Sequence, residues 1–156
     1  MGIGFLSGAA AGAAGTAALN AATYLDMAVR GRAASSTPEK TIEAMETRLP
    51  VDVPGEGDTR QNRVSGIASL TGVLTGVGIG VAYGVLRRAG FRPPVPVGAV
   101  LTGVSVMGLT DLSMARLRVT DPRSWSATDW VSDLLPHLVY GAVTYATLAA
   151  LDRNSQ

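Results

Sequence analysis

The chain contains a row of small residues spaced four apart inside the uncharged segment 64–86. The row consists of Ala68, Gly72, Gly76, Gly80 and Gly84. Residues four apart lie on nearly the same face of an α-helix, so the row predicts a shallow groove along one side. In a soluble helix each interior glycine costs about 1 kcal/mol relative to alanine, whereas in a bilayer small residues let another helix pack closely. The row therefore predicts a membrane-embedded helix with a second helix against it.

Charged residues are confined to short stretches, which leaves four long uncharged segments. These segments cover residues 1–25, 64–86, 93–110 and 134–151. A helix that crosses a bilayer needs about 20 predominantly apolar residues. Hydrophobic residues make up 47% of the chain and charged residues only 16%, unlike an average soluble domain. We therefore predict one domain, an all-α integral membrane bundle of four transmembrane helices, at about 3–29, 64–87, 96–114 and 127–151.

The charge and cysteine content exclude several classes of function. The formal net charge is +1, and no run of Lys or Arg resembles a nucleic-acid footprint. The chain has no cysteine, which excludes disulfides, thiolate metal sites and cysteine nucleophiles. The amino-terminal segment lacks the basic residues of a secretory signal, so we expect it to be retained as a helix. These features predict no cofactor, no nucleic-acid partner and the lipid bilayer as the main environment.

The first predicted helix repeats the four-residue spacing of small residues. Two helices with complementary glycine faces are expected to pack against each other. The predicted packing positions are Gly4, Gly8, Gly12, Gly72, Gly76, Gly80 and Gly84. An oligomer interface or a glycine-lined pore is the alternative use of these positions.

The polar segment 31–63 contains a short predicted helix at about 38–49. Thr37 is the expected N-cap residue, and Pro38 occupies the first helical position. The modest apolar stripe of this helix allows two arrangements, on the bilayer surface or as a cover over the bundle. The turn 87–94 is short and basic, and it predicts an antiparallel hairpin of the second and third long helices.

The third long helix contains Gly98, Gly103 and Gly108, whose spacing of five keeps the helix slender but predicts no packing row. The fourth long helix is expected to begin directly after Ser126. Ser126 and Asp129 resemble a capping box with Asp in place of Glu.

A candidate polar site is formed by residues within or at the ends of the predicted crossings. Its members are Asn20, Asp26, Asp111, Asp129, Asp133 and His137. Asp129, Asp133 and His137 are successive i, i+4 positions, and Asp111 is expected at a comparable membrane depth. Ionisable groups inside a membrane are expensive and often functional, for example in proton relays. Helix capping or interhelical bonding, a proton or small-solute pathway, and catalysis or metal binding are the alternatives. One histidine with scattered carboxylates matches neither a metal site nor a hydrolase triad.

Several short motifs resemble a known family of membrane proteins. They are Met107-Gly108-Leu109-Thr110, Trp125, Trp130 and Ser132-Asp133-x3-His137-Leu138-Val139-Tyr140-Gly141. This combination resembles the YagU-like family of small bacterial inner-membrane proteins, and segments 20–26, 37–39 and 120–123 resemble actinobacterial membrane proteins. The resemblance implies an inner-membrane protein with a link to acid tolerance, and it carries over no catalytic residue.

The double glycine row, together with the lack of a catalytic constellation, predicts a non-enzymatic, multi-pass protein of the plasma (inner) membrane. We expect an accessory or complex-forming subunit whose partners are other membrane proteins or a second copy of the chain. The alternative is a small proton or solute conductor that uses the face of Asp133 and His137. Counting Lys and Arg places the two long polar loops in the cytoplasm.

Overall fold

The chain folds into five α-helices and one short 3-10 helix within residues 2–153, the part described by this computed structural model. The α-helices are α1 (Gly2–Arg30), α2 (Thr37–Glu46), α3 (Gly57–Arg88), α4 (Val95–Arg116) and α5 (Ala127–Arg153). The 3-10 helix, Pro122–Ser124, lies between α4 and α5. No strand occurs in residues 2–153, so the predicted all-α class is confirmed.

Three of the helices are long and apolar enough to cross a membrane. They are α3, α4 and α5, and their length and composition are consistent with the predicted membrane protein. α1 is not among the helices that reach this hydropathy within the described range. The prediction of a fourth crossing therefore depends on α1 alone.

The four long helices form a bundle with alternating directions. α1 lies between α3 and α5, and α4 packs against the other side of α5. α3 and α4 follow each other in the chain but have much less contact than these pairs. We call the end where α1 and α4 finish and α3 and α5 begin the loop end. The opposite end, where residues 89–94 connect α3 to α4, is the turn end.

α1 and α3 approach each other through backbone contacts between glycines. A Cβ atom added to Gly8 would lie 2.7 Å from the carbonyl oxygen of Gly80, and one added to Gly12 would lie 2.6 Å from that of Gly76. A Cβ atom on Gly84 would lie 2.5 Å from the carbonyl oxygen of Gly4. Such distances leave no room for any side chain, so only glycine allows this helix separation.

Gly72 and Gly4 differ from the other predicted packing positions. A Cβ atom on Gly72 would have nothing within 4 Å, so this glycine does not contribute to the contact with α1. A Cβ atom on Gly4 would meet the flexible side chain of Arg88, 2.6 Å from its Cδ. The close approach therefore starts at Gly76 and continues to the turn end.

The contact between α4 and α5 also depends on glycine, which the five-residue spacing did not predict. A Cβ atom on Gly103 would lie 2.7 Å from the carbonyl oxygen of His137, and one on Gly141 would lie 2.5 Å from the backbone nitrogen of Gly103. Gly98 faces the ring of Tyr145. Only Gly108 has open space around it among the three glycines of α4. Gly98 and Gly103 therefore serve as packing positions toward α5 although their spacing of five forms no four-residue row.

α2 packs against the beginning of α3. Ile42 of α2 is buried in a cluster with Val53, Val64 and Ala68. Arg60 of α3 forms an ion pair with Glu46 at the end of α2. α3 begins at Gly57, ahead of the uncharged segment, because its first turns pack against this polar cover.

Two predicted details of the loops need correction or extension. Ser36, and not Thr37, precedes the first residue of α2, and its side chain makes no capping hydrogen bond. In the 3-10 helix, hydrogen bonds from the Arg123 guanidinium and backbone N–H hold the pKa of the Asp121 carboxyl below its usual value. Trp125 and Trp130 stack edge to face with ring centroids 5.1 Å apart beside this turn.

Candidate functional site

The first turn of α5 is organised by a reciprocal cap. The backbone N–H of Ser126 donates to Asp129 Oδ2 at 2.9 Å, and the backbone N–H of Asp129 donates to Ser126 Oγ at 3.2 Å. This is the predicted capping box, and it satisfies two donors that a helix N-terminus leaves free. Asp129 therefore has a local structural partner, and it lies in an exposed position.

The polar residues of α1 are also placed away from the centre of the candidate site. Asp26 forms ion pairs with Arg30, at 3.5 Å, and with Arg32. Arg30 Nη1 also donates to Ser132 Oγ on α5 at 2.8 Å, which links the loop ends of α1 and α5. Asn20 is partly buried and makes no side-chain hydrogen bond within the described range.

The carboxyl groups of Asp111 on α4 and Asp133 on α5 lie next to each other. Asp111 is only 8% exposed and is the one acidic residue in the described range that is buried. Asp111 Oδ1 and Asp133 Oδ2 are buried and have no N–H or O–H donor among the described residues. Two ionised carboxylates offer acceptors only, so this contact becomes a hydrogen bond only when one of them carries a proton.

His137 lies one turn farther along α5, next to this carboxyl pair. Its Nδ1 is 2.7 Å from the carbonyl oxygen of Asp133 and 3.5 Å from Asp133 Oδ1. A carbonyl oxygen can only accept, so Nδ1 is the protonated nitrogen in the neutral ring. Nε2 then carries the free lone pair and can accept a proton. The histidine side chain is 12% exposed, compared with 25% for Asp133.

The position of this cluster in the bundle is fixed by helix packing. His137 follows Ala127, the first residue of α5, by ten positions, which is about 15 Å along an ideal helix. The hydrocarbon core of a bilayer is about 30 Å thick, so His137 lies near the middle of the predicted crossing. The contact of Gly103 with the backbone of His137 sets the register that brings Asp111 opposite Asp133.

The cluster of Asp111, Asp133 and His137 can bind and exchange protons. It has two carboxyl groups in contact and one imidazole whose Nε2 accepts, and all three side chains are at least partly shielded. Within the described residues, no group of three or more His, Cys, Asp and Glu side chains is arranged to hold a metal ion. Carboxyl and imidazole groups are side chains that can take up and release protons.

Sequence reasoning missed a second set of polar contacts, which lies toward the turn end. Tyr140 donates from its hydroxyl to the carbonyl oxygen of Gly76 at 2.6 Å, and the Tyr83 hydroxyl is 2.9 Å from Ser105 Oγ. Arg87 was predicted to be part of a basic turn, but its side chain is buried. The available signal was the position of three tyrosines within the uncharged segments, because a buried tyrosine hydroxyl needs a hydrogen-bonding partner.

Comparison with protein-family models, with curated proteins and with solved structures gives no match for this chain.

Proposed function

We propose that the chain is an integral membrane protein with four crossings that binds and conducts protons through Asp111, Asp133 and His137. The observation that carries this proposal is the contact between the two carboxyl groups of α4 and α5 inside a helix pair suited to a bilayer. An ionised Asp at the centre of a membrane helix costs about 2.5–3.5 kcal/mol on insertion scales. A proton shared by the two carboxyl groups removes one of the two negative charges. Binding and release of this proton is the function that we propose for the buried pair.

The fourth crossing in this proposal is α1. Its antiparallel contact with α3 and its position between α3 and α5 support a location inside the same bilayer. Gly8, Gly12, Gly76, Gly80 and Gly84 form the predicted glycine zipper in this proposal, because their backbones meet where side chains are excluded. The inner membrane of a bacterium is the proposed location, in line with the resemblance to the YagU-like family.

A proton enters this route from the loop end, where Asp133 is the most exposed member of the cluster. It is held between Asp133 and Asp111 and passes to the neighbouring imidazole of His137. His137 then carries a proton on both ring nitrogens until it releases one toward the turn end. The protein acts without forming a covalent intermediate, so the proposal is for a conductor and not for an enzyme.

The proposal is tested by proton flux into vesicles of phosphatidylcholine and phosphatidylglycerol that contain the purified protein and a pH-sensitive dye. A potassium gradient with valinomycin supplies the driving force. We expect Asp133→Asn and His137→Ala to lower the flux to that of empty vesicles, because each removes a proton-binding group. Asp129→Asn is the matched control, since it makes the same chemical change in the exposed cap of the same helix. Equal flux for the wild type and the Asp133 and His137 variants would refute the proposal.

An accessory or complex-forming subunit is the second candidate function. It is supported by Gly72 and Gly78 of α3, which have nothing within 4 Å of an added Cβ atom. Small residues on an outer surface of a membrane helix allow another helix to approach. Chemical cross-linking in native membranes tests this candidate. Cross-linked species that persist unchanged after Gly72→Leu and Gly78→Leu would contradict it.

A further inference from the structure

The turn end of the bundle has an excess of positive charge, whereas the loop end is balanced. Among residues 2–153, the turn end has one acidic residue, Asp152, together with four arginines. These arginines are Arg87, Arg88, Arg92 and Arg153. At the loop end, nine basic residues are matched by nine acidic residues when the facing pair of Asp111 and Asp133 is left out. The uncompensated positive charge of the chain is therefore located at the turn end.

One of the four arginines is neutralised by an ion pair. Arg87 Nε donates to Asp152 Oδ2 at 2.8 Å, and this bond joins the end of α3 to the end of α5. The side chain of Arg87 is only 9% exposed, and its guanidinium lies 4.8 Å from the ring centroid of Tyr145. This ion pair uses the one acidic residue at the turn end of the described chain. The other three arginines have no carboxylate partner within residues 2–153.

The same ion pair brings the three unpaired arginines to one end of the bundle. Arg88 directly follows Arg87, and Arg153 directly follows Asp152. Arg92 Nε donates to the carbonyl oxygen of Arg87 at 3.0 Å. Each unpaired arginine is therefore next to one member of the ion pair, and all three are exposed.

Arg88 is positioned by a glycine of α1. A Cβ atom on Gly4 would lie 2.6 Å from Arg88 Cδ and 2.8 Å from Arg88 Nε, so the arginine stem lies directly on the backbone of α1. Arg92 belongs to the turn, and Arg153 is the last residue of α5. The three charges are thus spread over α1, the turn and the end of α5. Such a spread fits several headgroups of a lipid surface better than one small ion.

Exposed apolar side chains accompany these charges. Val85 and Leu86 precede the arginines at the end of α3, and Phe91 precedes Arg92 in the turn. α3 is long and apolar enough to cross a membrane, so its last residues lie at the boundary between acyl chains and headgroups in such a membrane. Apolar side chains next to charged groups suit this boundary, whereas a soluble anion would gain nothing from them.

We propose that Arg88, Arg92 and Arg153 form a surface that binds the phosphate groups of anionic phospholipids in the leaflet at the turn end. Guanidinium groups donate paired hydrogen bonds to phosphate oxygens, and each basic residue near an anionic membrane surface adds to the attraction. The ion pair of Arg87 and Asp152 holds the helix ends that carry this surface. The inference rests on the membrane location in the proposed function but not on proton conduction.

The test is native mass spectrometry of the full chain, released from dodecyl maltoside micelles that contain equal amounts of phosphatidylglycerol and phosphatidylcholine. We expect the wild type to retain phosphatidylglycerol in preference to phosphatidylcholine. Arg88→Gln should lower the ratio of the two retained lipids about fivefold, because one charge at the surface is lost. The triple variant Arg88→Gln, Arg92→Gln and Arg153→Gln should retain both lipids equally.

The matched control removes three basic side chains at the loop end. Lys40→Gln, Arg48→Gln and Arg116→Gln change exposed positions that form no ion pair within the described residues, and together they should leave the lipid ratio unchanged. If the turn-end triple variant does not fold, the double variant of Arg88 and Arg153 takes its place. It keeps the hydrogen bond from Arg92 to the backbone of Arg87.

Several results would overturn the proposed lipid surface. They are equal retention of both lipids by the wild type, a wild-type ratio in the folded triple or double variant, and an equal loss of preference in the loop-end control. Displacement of phosphatidylglycerol by inorganic phosphate at the same concentration would identify a site for a free anion, and it would overturn the lipid surface as well.

Failure of the lipid surface and failure of the proposed function give different results. The proposed function fails alone when the lipid preference depends on the three arginines and Asp133→Asn conducts protons like the wild type. The lipid surface fails alone when Asp133→Asn abolishes the proton flux and the turn-end variants keep the wild-type lipid ratio.

Discussion

At the scale of single residues, the cluster depends on one carboxyl group that local sequence cannot place. Asp133 and His137 were predicted to be neighbours because they are four apart on one helix. In the structure, His137 Nδ1 lies 3.5 Å from Asp133 Oδ1. Asp111 lies on another helix, and its contact with Asp133 depends on how α4 and α5 slide against each other. That register follows from backbone contacts of Gly103 and Gly141, whose role the sequence pattern did not reveal.

The helix ends allow a matched pair of residue-scale predictions. Arg118 follows α4 with φ of 59°, and the N–H of Val119 donates to the carbonyl oxygen of Met114 at 2.9 Å. Gly90 follows α3 with φ of 101°, and the N–H of Phe91 donates to Leu86 at 2.9 Å. Both ends have the hydrogen bond typical of a left-handed helix terminus, where glycine avoids steric strain.

We expect Arg118→Gly to raise the free energy of unfolding and Gly90→Ala to lower it, each by about 1 kcal/mol. Reversible unfolding in mixed micelles of dodecyl maltoside and dodecyl sulfate, followed by circular dichroism, measures both changes. A loss of stability in Arg118→Gly would show that the arginine side chain contributes more than its backbone conformation costs.

At the scale of helices, the bundle depends on a row of glycines in α3, of which only some contact α1. Gly76, Gly80 and Gly84 touch α1, whereas Gly72 has open space although it belongs to the same four-residue pattern. The reason is the helix crossing, because two straight helices stay in closest contact over a limited length. Sequence spacing predicts which face packs, but it does not predict where along that face the neighbour departs.

This difference gives an element-scale prediction. Gly80→Leu should destabilise the protein by at least about 1–3 kcal/mol, because a side chain would collide with the backbone of Gly8 and Gly12. Gly72→Leu is the control on the same helix and should unfold like the wild type. The two variants are compared by the same micelle titration and by thermal aggregation in detergent. Equal destabilisation by both would contradict the packing of α1 against α3.

The sequence predicted where most of the long helices lie along the chain, but few of the contacts between them. Uncharged segments and the capping box of Ser126 and Asp129 located α5, and the glycine rows indicated the pairing of α1 with α3. The burial of Arg87 could not be predicted, because a basic residue next to a turn usually faces water or headgroups. Its ion pair with Asp152 joins residues 65 positions apart, and only the parallel placement of α3 and α5 brings them together.

At the scale of the whole molecule, the proposed four crossings place the two ends of the bundle on opposite sides of the membrane. Ser36 and Ser124 lie in exposed loops at the loop end, and Ala89 is exposed in the turn at the other end. The chain has no cysteine, so a single introduced thiol reports on one position.

Membrane-impermeant maleimide added to intact spheroplasts should therefore give the same result for Ser36→Cys and Ser124→Cys and the opposite result for Ala89→Cys. Either the first two variants are labelled and the third is not, or only the third is labelled. Labelling after the cells are opened is the control for accessible thiols. The count of basic residues predicts that Ala89→Cys is the position labelled from outside. Labelling of all three positions from one side would exclude a crossing by α3 and by α4, the helices that separate these positions.

The order in which the helices pair has a consequence for biosynthesis. α1 can pack against α3 as soon as both helices have formed, whereas its other face waits for α5, the last helix of the described range. Asp111 enters with α4 and meets Asp133 only when α5 follows. A ribosome that stalls between these two helices leaves the carboxyl group of Asp111 without its partner. The contact between the two acids thus forms only after α5 has been made.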